Sequence, residues 1–142
     1  MIKLRPVRSA FHALSMLALG LVVTGAGAEQ RPPLQGVSSI RIANYGAPSV
    51  LVERGAVRLI VDELNRLRRK DWQRADAKLS CYSTVVLLQG TKRVGEFRVR
   101  PEHVVERPVE KGQSIYSIAI DRADVPGLSK LLAEIAPAKD CN

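Results

Sequence analysis

The sequence predicts a small single α+β domain: a three- or four-stranded antiparallel sheet with a long N-terminal helix and a shorter C-terminal helix packed on it. Three observations predict it. Apolar residues recur at three-and-four spacing over 56–67 and again over 125–135, the period of a helix that buries one stripe. Between those stretches, 80–120 is β-branched or alternating and is cut by Gly90, Pro101 and Pro108, as short strands are. The resulting order, a strand, a helix, several strands and a helix, favours an antiparallel sheet with helices on one face.

The first 28 residues read as an address. Lys3, Arg5 and Arg8 precede an apolar run from Ala13 to Val23, and Ala26-Gly27-Ala28 follows. This is the three-part pattern of a secretory signal peptide, with cleavage expected before Glu29. The apolar run is short for a bilayer span. A lipoprotein signal needs a cysteine directly after the small residues, where Glu29 stands; the first cysteine is Cys81. The expected organisation is therefore a signal peptide at 1–28, a flexible tail at 29–36 that holds two prolines, and one domain at 37–142. Without the leader the chain carries 19 Lys and Arg against 14 Asp and Glu, a formal charge of +5 in place of +8. That mild excess suits encounters with anionic surfaces or acidic proteins. An exported chain with few aromatics is a poor nucleic-acid binder, so no nucleic-acid partner is expected.

Within the domain, Ile40 and Ile42 flank Arg41 in the alternation of a first strand over 37–43, which Asn44-Tyr45-Gly46-Ala47-Pro48 breaks. Ser49 is a possible N-cap for the long helix, whose buried stripe is Ala56, Val57, Ile60, Val61, Leu64 and Leu67. Gly55 weakens the first turns, and an extended Val50-Leu51-Val52 is the alternative there. Arg54, Arg58, Asp62, Arg66 and Arg69 form the polar face, with cations gathered where they complement the helix dipole. The run 80–88 reads as a central strand. Gly90 supplies a turn, and 93–100 returns with Gly95, Phe97 and Val99 on one face. Pro101 interrupts the ladder, the stretch 102–107 is an optional continuation of it, and a strand over 114–120, with Tyr116, Ile118 and Ile120 on one face, completes a sheet of three or four strands. Asp121 or Asp124 is a cap for the last helix, Pro126 suits its first turn, and Pro137 ends it.

Cys81 and Cys141 are the only cysteines, and in an oxidising compartment an even count reads as a disulfide. Closing so long a loop stabilises a fold by about 4 kcal/mol in the chain-entropy account. A reactive Cys81 with His103 as its base is the alternative that the second thiol argues against.

Motifs for catalysis are not evident. His103 is the single histidine after the leader, and no spacing resembles a metal motif. Nucleophile-elbow, phosphate-loop and dinucleotide patterns are missing from the sequence. The close carboxylate pairs, Asp62-Glu63 and Asp121 with Asp124, are explained by a solvated helix face and by capping. No cofactor and no enzymatic activity are expected.

Two charged regions are candidate binding surfaces. The first gathers Arg68, Arg69, Lys70 and Arg74 around Trp72, an apolar anchor inside a basic rim of the kind enriched at interfaces and membrane surfaces. Burial of Trp72 in the core is the competing expectation. The second is the hairpin face that carries Arg98 and Arg100 among residues of alternating sign, an arrangement that also discourages edge pairing. The succession of a helix and antiparallel strands in a disulfide-clipped domain, with Gln89-Gly90 in a hairpin, resembles cystatin-type inhibitor folds. The fuller motif of the inhibitory loop is missing and a C-terminal helix is added, so the resemblance implies architecture and transfers no site residue.

The leading expectation is a non-enzymatic exported binding protein, periplasmic or secreted, of the inhibitor or immunity type, with a protein partner in the cell envelope. The alternatives are an envelope-surface adaptor that holds an anionic membrane surface or cell-wall polymer through the Trp72 region, and an unrecognised hydrolase.

Overall fold

The computed structural model describes residues 29–141; the signal-peptide expectation falls on residues 1–28 and lies outside them. The elements are β1 (Ser39–Ala43), β2 (Val50–Leu51), α1 (Arg54–Arg68), β3 (Ser83–Gln89), β4 (Lys92–Val99), β5 (His103–Arg107), β6 (Tyr116–Ala119) and α2 (Pro126–Glu134). All strands belong to one antiparallel sheet in the order β2-β1-β3-β4-β5-β6.

The fold class stands as expected, but the sheet has six strands rather than three or four. β2 is only two residues long, too short to show a period, and it is held by β1 through Arg41↔Leu51 and Ile42↔Val50. β5 sits between Pro101 and Pro108, whose disruptive signals flank it without breaking it. The extended alternative for 50–52 is the correct one: the Val52 amide donates to the Ile40 carbonyl at 2.8 Å, which keeps the chain in the sheet until Glu53. Ser49 is accordingly not the cap of α1. Glu53 holds that position without a side-chain cap bond.

Strand alternation sets two faces. Ile40, Ile42, Val85, Leu87, Phe97, Val104, Tyr116 and Ile118 point to the helices, where Val57, Ile60, Leu64 and Leu67 of α1 and Leu128 of α2 meet them in one core. Gly90, at φ +61°, opens the two-residue β3–β4 turn. A positive φ at the first turn position matches the type II′ geometry that suits hairpins.

Two features tie the core down in ways that periodicity does not reveal. Glu63 of α1 is 1% exposed, and its two carboxylate oxygens accept from the Gly127 amide (2.7 Å) and the Leu128 amide (2.9 Å) at the start of α2. These amides have no intrahelical acceptor, and the positive end of the helix dipole faces the carboxylate. The expected solvated Asp62-Glu63 pair is therefore split, Asp62 to solvent and Glu63 to the core. Asp121 caps a separate 3-10 turn, Arg122–Asp124, in a capping box with Asp124. Gly127 permits the close approach, since a Cβ there would stand 2.8 Å from Glu63 Oε1 and 2.7 Å from Leu59 Cδ2.

The connector 69–82 runs past the sheet edge and onto the face opposite the helices. Gln73 pairs with Ser117 of β6, Asp76 reaches Arg107 at 3.3 Å, and the Cys81 carbonyl accepts from Arg100. This cover accounts for Val105, 1% exposed although it points away from the helices. Hydrogen bonds join the segment 29–36, expected as a flexible tail, to α1 and its connector. Glu29 exchanges backbone hydrogen bonds with Trp72 at 2.9 Å, the Arg31 amide donates to the Arg68 carbonyl, and the Leu34 amide to Asn65 Oδ1. Its partners are groups of a finished helix and its connector, which leave no mark on the local sequence.

Candidate functional site

β1, β4 and β6 finish, and β3 and β5 begin, at one end of the sheet. There α2 stands off the strands and leaves a cleft of about 300 Å³. Its floor is apolar, made by Val99, Ile120, Val125 and Leu132. Asn44, Ser83 and Ser129 add short polar groups to the wall, and Arg100 and Arg122 also border it.

Local sequence explains each position. Asn44 ends β1, and its side-chain amide donates to the carbonyls of Leu132 (2.9 Å) and Ala136 (3.0 Å) while its Oδ1 accepts from Ser83 Oγ at 2.6 Å. The amide group thereby satisfies orphan carbonyls at the C-terminus of α2 and locks that helix to the sheet. Arg100 follows β4 at a turn that Pro101 prevents from continuing as ladder. Its Nε lies 3.2 Å from exposed Glu102 and its Nη1 3.4 Å from the Cys81 carbonyl. Arg122 is exposed on the 3-10 turn. The carboxylates beside it are engaged elsewhere: Asp121 accepts from the Ala123 amide, and Asp124 accepts from Lys70 Nζ at 2.6 Å. The Lys70 hydrogen bond, with help from the Asp121 amide, holds the Asp124 carboxyl below the usual aspartate range.

The same end of the molecule is clamped. Cys81 and Cys141 are joined in a disulfide, as the cysteine count predicts, across a sequence separation of 60. The Lys139 amide donates to the Tyr45 carbonyl at 2.8 Å, so the C-terminal segment is laced to the β1–β2 turn. Tyr45, 43% exposed, meets Tyr82 edge to face with ring centroids 6.3 Å apart.

The predicted site residues do not gather into one surface. Trp72 is 0% exposed: its indole Nε1 donates to the Leu67 carbonyl at 2.7 Å, and its ring packs edge-on against Phe97. Of the two readings of Trp72, the core residue and not the exposed anchor is the correct one, because the apolar ring gains more by filling the space beyond the end of α1 than by standing in water. Arg68 is likewise inside, 5% exposed, with Nη1 2.6 Å from Glu106 and Nε donating to the Pro32 carbonyl. Burial pushes its guanidinium below the ordinary arginine value, and Glu106 opposes the change. Arg31 joins from the other side of Glu106 and lies over the Tyr116 ring at 3.7 Å. Arg69 is exposed on the last turn, Lys70 is bonded to Asp124, and Arg74 lies at Glu29 and over Tyr116.

Of the hairpin pair, Arg98 lies 4.4 Å over the Tyr82 ring on the face away from the helices, with Nε buried and without a partner among the described residues. Arg100 is the one of the two that borders the cleft. Arg122 was missed, since a single arginine in a loop carries no sequence signal; the capping box around it was the only available hint. Among the described residues no group of three or more His, Cys, Asp and Glu side chains is placed to hold a metal ion, and no helix is long and apolar enough to cross a membrane.

Comparison with protein-family models, with curated proteins and with solved structures finds no match.

Proposed function

We propose that the chain is an exported, non-enzymatic binding protein of the inhibitor or immunity type, which holds a protein of the cell envelope at the clamped end of its sheet. The observation that carries the reading is the cleft: an apolar floor bordered by two arginines, near exposed Tyr45, at an end of the sheet where the disulfide and Asn44 fasten the C-terminal segment and α2 to the strands. Arginine and tyrosine are the residue types enriched at the energetic centres of interfaces, and preordered turns lose little entropy on binding. Exposed guanidinium groups also steer an acidic partner to the site. The adaptor reading, which relied on Trp72 as an apolar anchor, has no such anchor once that ring is in the core.

Affinity capture from an envelope extract tests the proposal. Wild-type protein is expected to retain one stoichiometric partner, which Arg100→Glu with Arg122→Glu releases. Capture that is indifferent to this charge reversal, or no partner at all, contradicts it.

A further inference from the structure

We infer that a second cavity, at the end of the sheet away from the clamp, binds a compact oxyanion of the phosphate kind, free or esterified, between Arg31 and Arg68. The site is separate from the cleft and does not depend on the reading above. The cavity, of about 260 Å³, lies where the segment 31–35 meets the last turn of α1 and the close of β5, and Arg31, Arg68, Gly95, Glu106, Gln113 and Ser114 are among its walls. Contacts fix where both guanidinium groups stand. Arg68 Nη1 is 2.6 Å from Glu106 Oε1, Arg31 Nε is 3.4 Å from Glu106 Oε2, and Arg31 Cζ lies 3.7 Å from the centre of the Tyr116 ring. Two cations from distant segments thus close on one carboxylate, each through a single bond rather than as a bidentate pair.

The charges there do not balance. Arg31, Arg68 and Arg74 share Glu106 and Glu29, whose Oε2 is 3.3 Å from Arg74 and whose Oε1 is 3.9 Å from Arg31. One cation is left over, and Arg68, 5% exposed, carries its charge where water compensates little of it. Burial accordingly lowers the Arg68 pKa, Glu106 resists, and Arg31 adds repulsion. Donors are left over as well. Among the described residues, Nη2 of Arg68 and Nη2 of Arg31 make no hydrogen bond, and neither is sealed from open space, since the one sealed side-chain polar atom without a partner is Arg98 Nε. A tetrahedral oxyanion accepts from both groups at once and supplies the missing negative charge. The cavity volume is just below the usual range of small-molecule pockets, which suits such a group with few further atoms.

Titration calorimetry of the disulfide-intact protein tests this, with inorganic phosphate, glycerol phosphate and acetate as probes at an ionic strength fixed by chloride. At least one of the two phosphates is expected to bind saturably and about tenfold more tightly than acetate; the tighter of them shows whether the group is taken free or esterified. Arg31→Ala is expected to weaken that binding about tenfold, the loss of a charge-assisted donor. Glu106→Gln is expected to strengthen it about tenfold, because a like charge leaves the site, while the melting temperature falls. An ion cluster that only fastens the N-terminal segment gives the lower melting temperature without the gain in affinity. The inference is overturned if neither phosphate gives saturable heat, if acetate binds as tightly, if Arg31→Ala changes nothing, or if Glu106→Gln leaves the affinity unchanged or weaker.

Discussion

Removing the Glu63 carboxylate is expected to destabilise the domain more than any other single change on the polar side of α1. Both oxygens are committed, at 2.7 and 2.9 Å, to amides that open α2, and the residue is 1% exposed. In Glu63→Ala the two amides lose their acceptors, each a loss of about 1–3 kcal/mol, while the cost of burying a charge is relieved. A net loss of about 3 kcal/mol follows. At about 4 °C per kcal/mol for a domain of this size, the melting temperature falls by roughly 12 °C. Glu63→Gln keeps the shape but turns one acceptor into a donor that faces an N–H, and is expected to lose about 2 kcal/mol. The neighbouring Asp62→Asn, on the exposed face, is expected to stay within about 0.5 kcal/mol of wild type. Urea denaturation followed by tryptophan fluorescence reads all three, since Trp72 lies in the same core. A Glu63→Gln protein as stable as Asp62→Asn refutes the capping role.

Other consequences are open to equally direct checks. Gly127→Ala places a Cβ 2.8 Å from Glu63 Oε1 and 2.7 Å from Leu59 Cδ2, so it is expected to lose about 1–3 kcal/mol by overpacking in the same denaturation experiment. Cys81→Ser with Cys141→Ser removes a crosslink of sequence separation 60 and is expected to lose about 4 kcal/mol in calorimetry; a loss below about 1 kcal/mol contradicts a structural role. Because Asp124 is held below its ordinary pKa by Lys70, its contribution is complete above the unfolded aspartate value near 4 and disappears as pH falls through the lower folded value. The stability gap between wild type and Lys70→Ala is therefore expected to be constant from pH 7 to 5 and to close in more acid solution. Intact mass of protein recovered from the cells that make it is expected to correspond to a chain that begins at Glu29.

The parts of the fold that the residues disclose in advance are those in which a side-chain period meets a buried face. Val57, Ile60, Leu64 and Leu67 of α1, Phe97 and Val99 of β4 and the stripe of α2 show this, and all lie where their spacing placed them. What stays hidden is set by single contacts between distant segments. Glu63 looks like any surface acid until Gly127, 64 residues away, presents its amide. β2 has two residues and no period of its own. Trp72 sits among cations in sequence, yet the chain turns at the end of α1 and delivers the ring inward. The candidate site is legible only in part for the same reason. Arg100 belongs to a visible hairpin, whereas Arg122, Asn44 and Ser129 come from three other segments and converge only when β1 and α2 close the sheet end.

Photo-crosslinking in the living cell tests the central claim, that the clamped end of the sheet is where a partner docks. A photoreactive residue at Glu102, beside the cleft, is compared with one at Thr91 in the β3–β4 turn at the far end. A single adduct of defined mass from position 102, absent from 91 and lost when Arg122 is changed to Glu, is the predicted result. Adducts from 91 alone, or equally from both positions, contradict it.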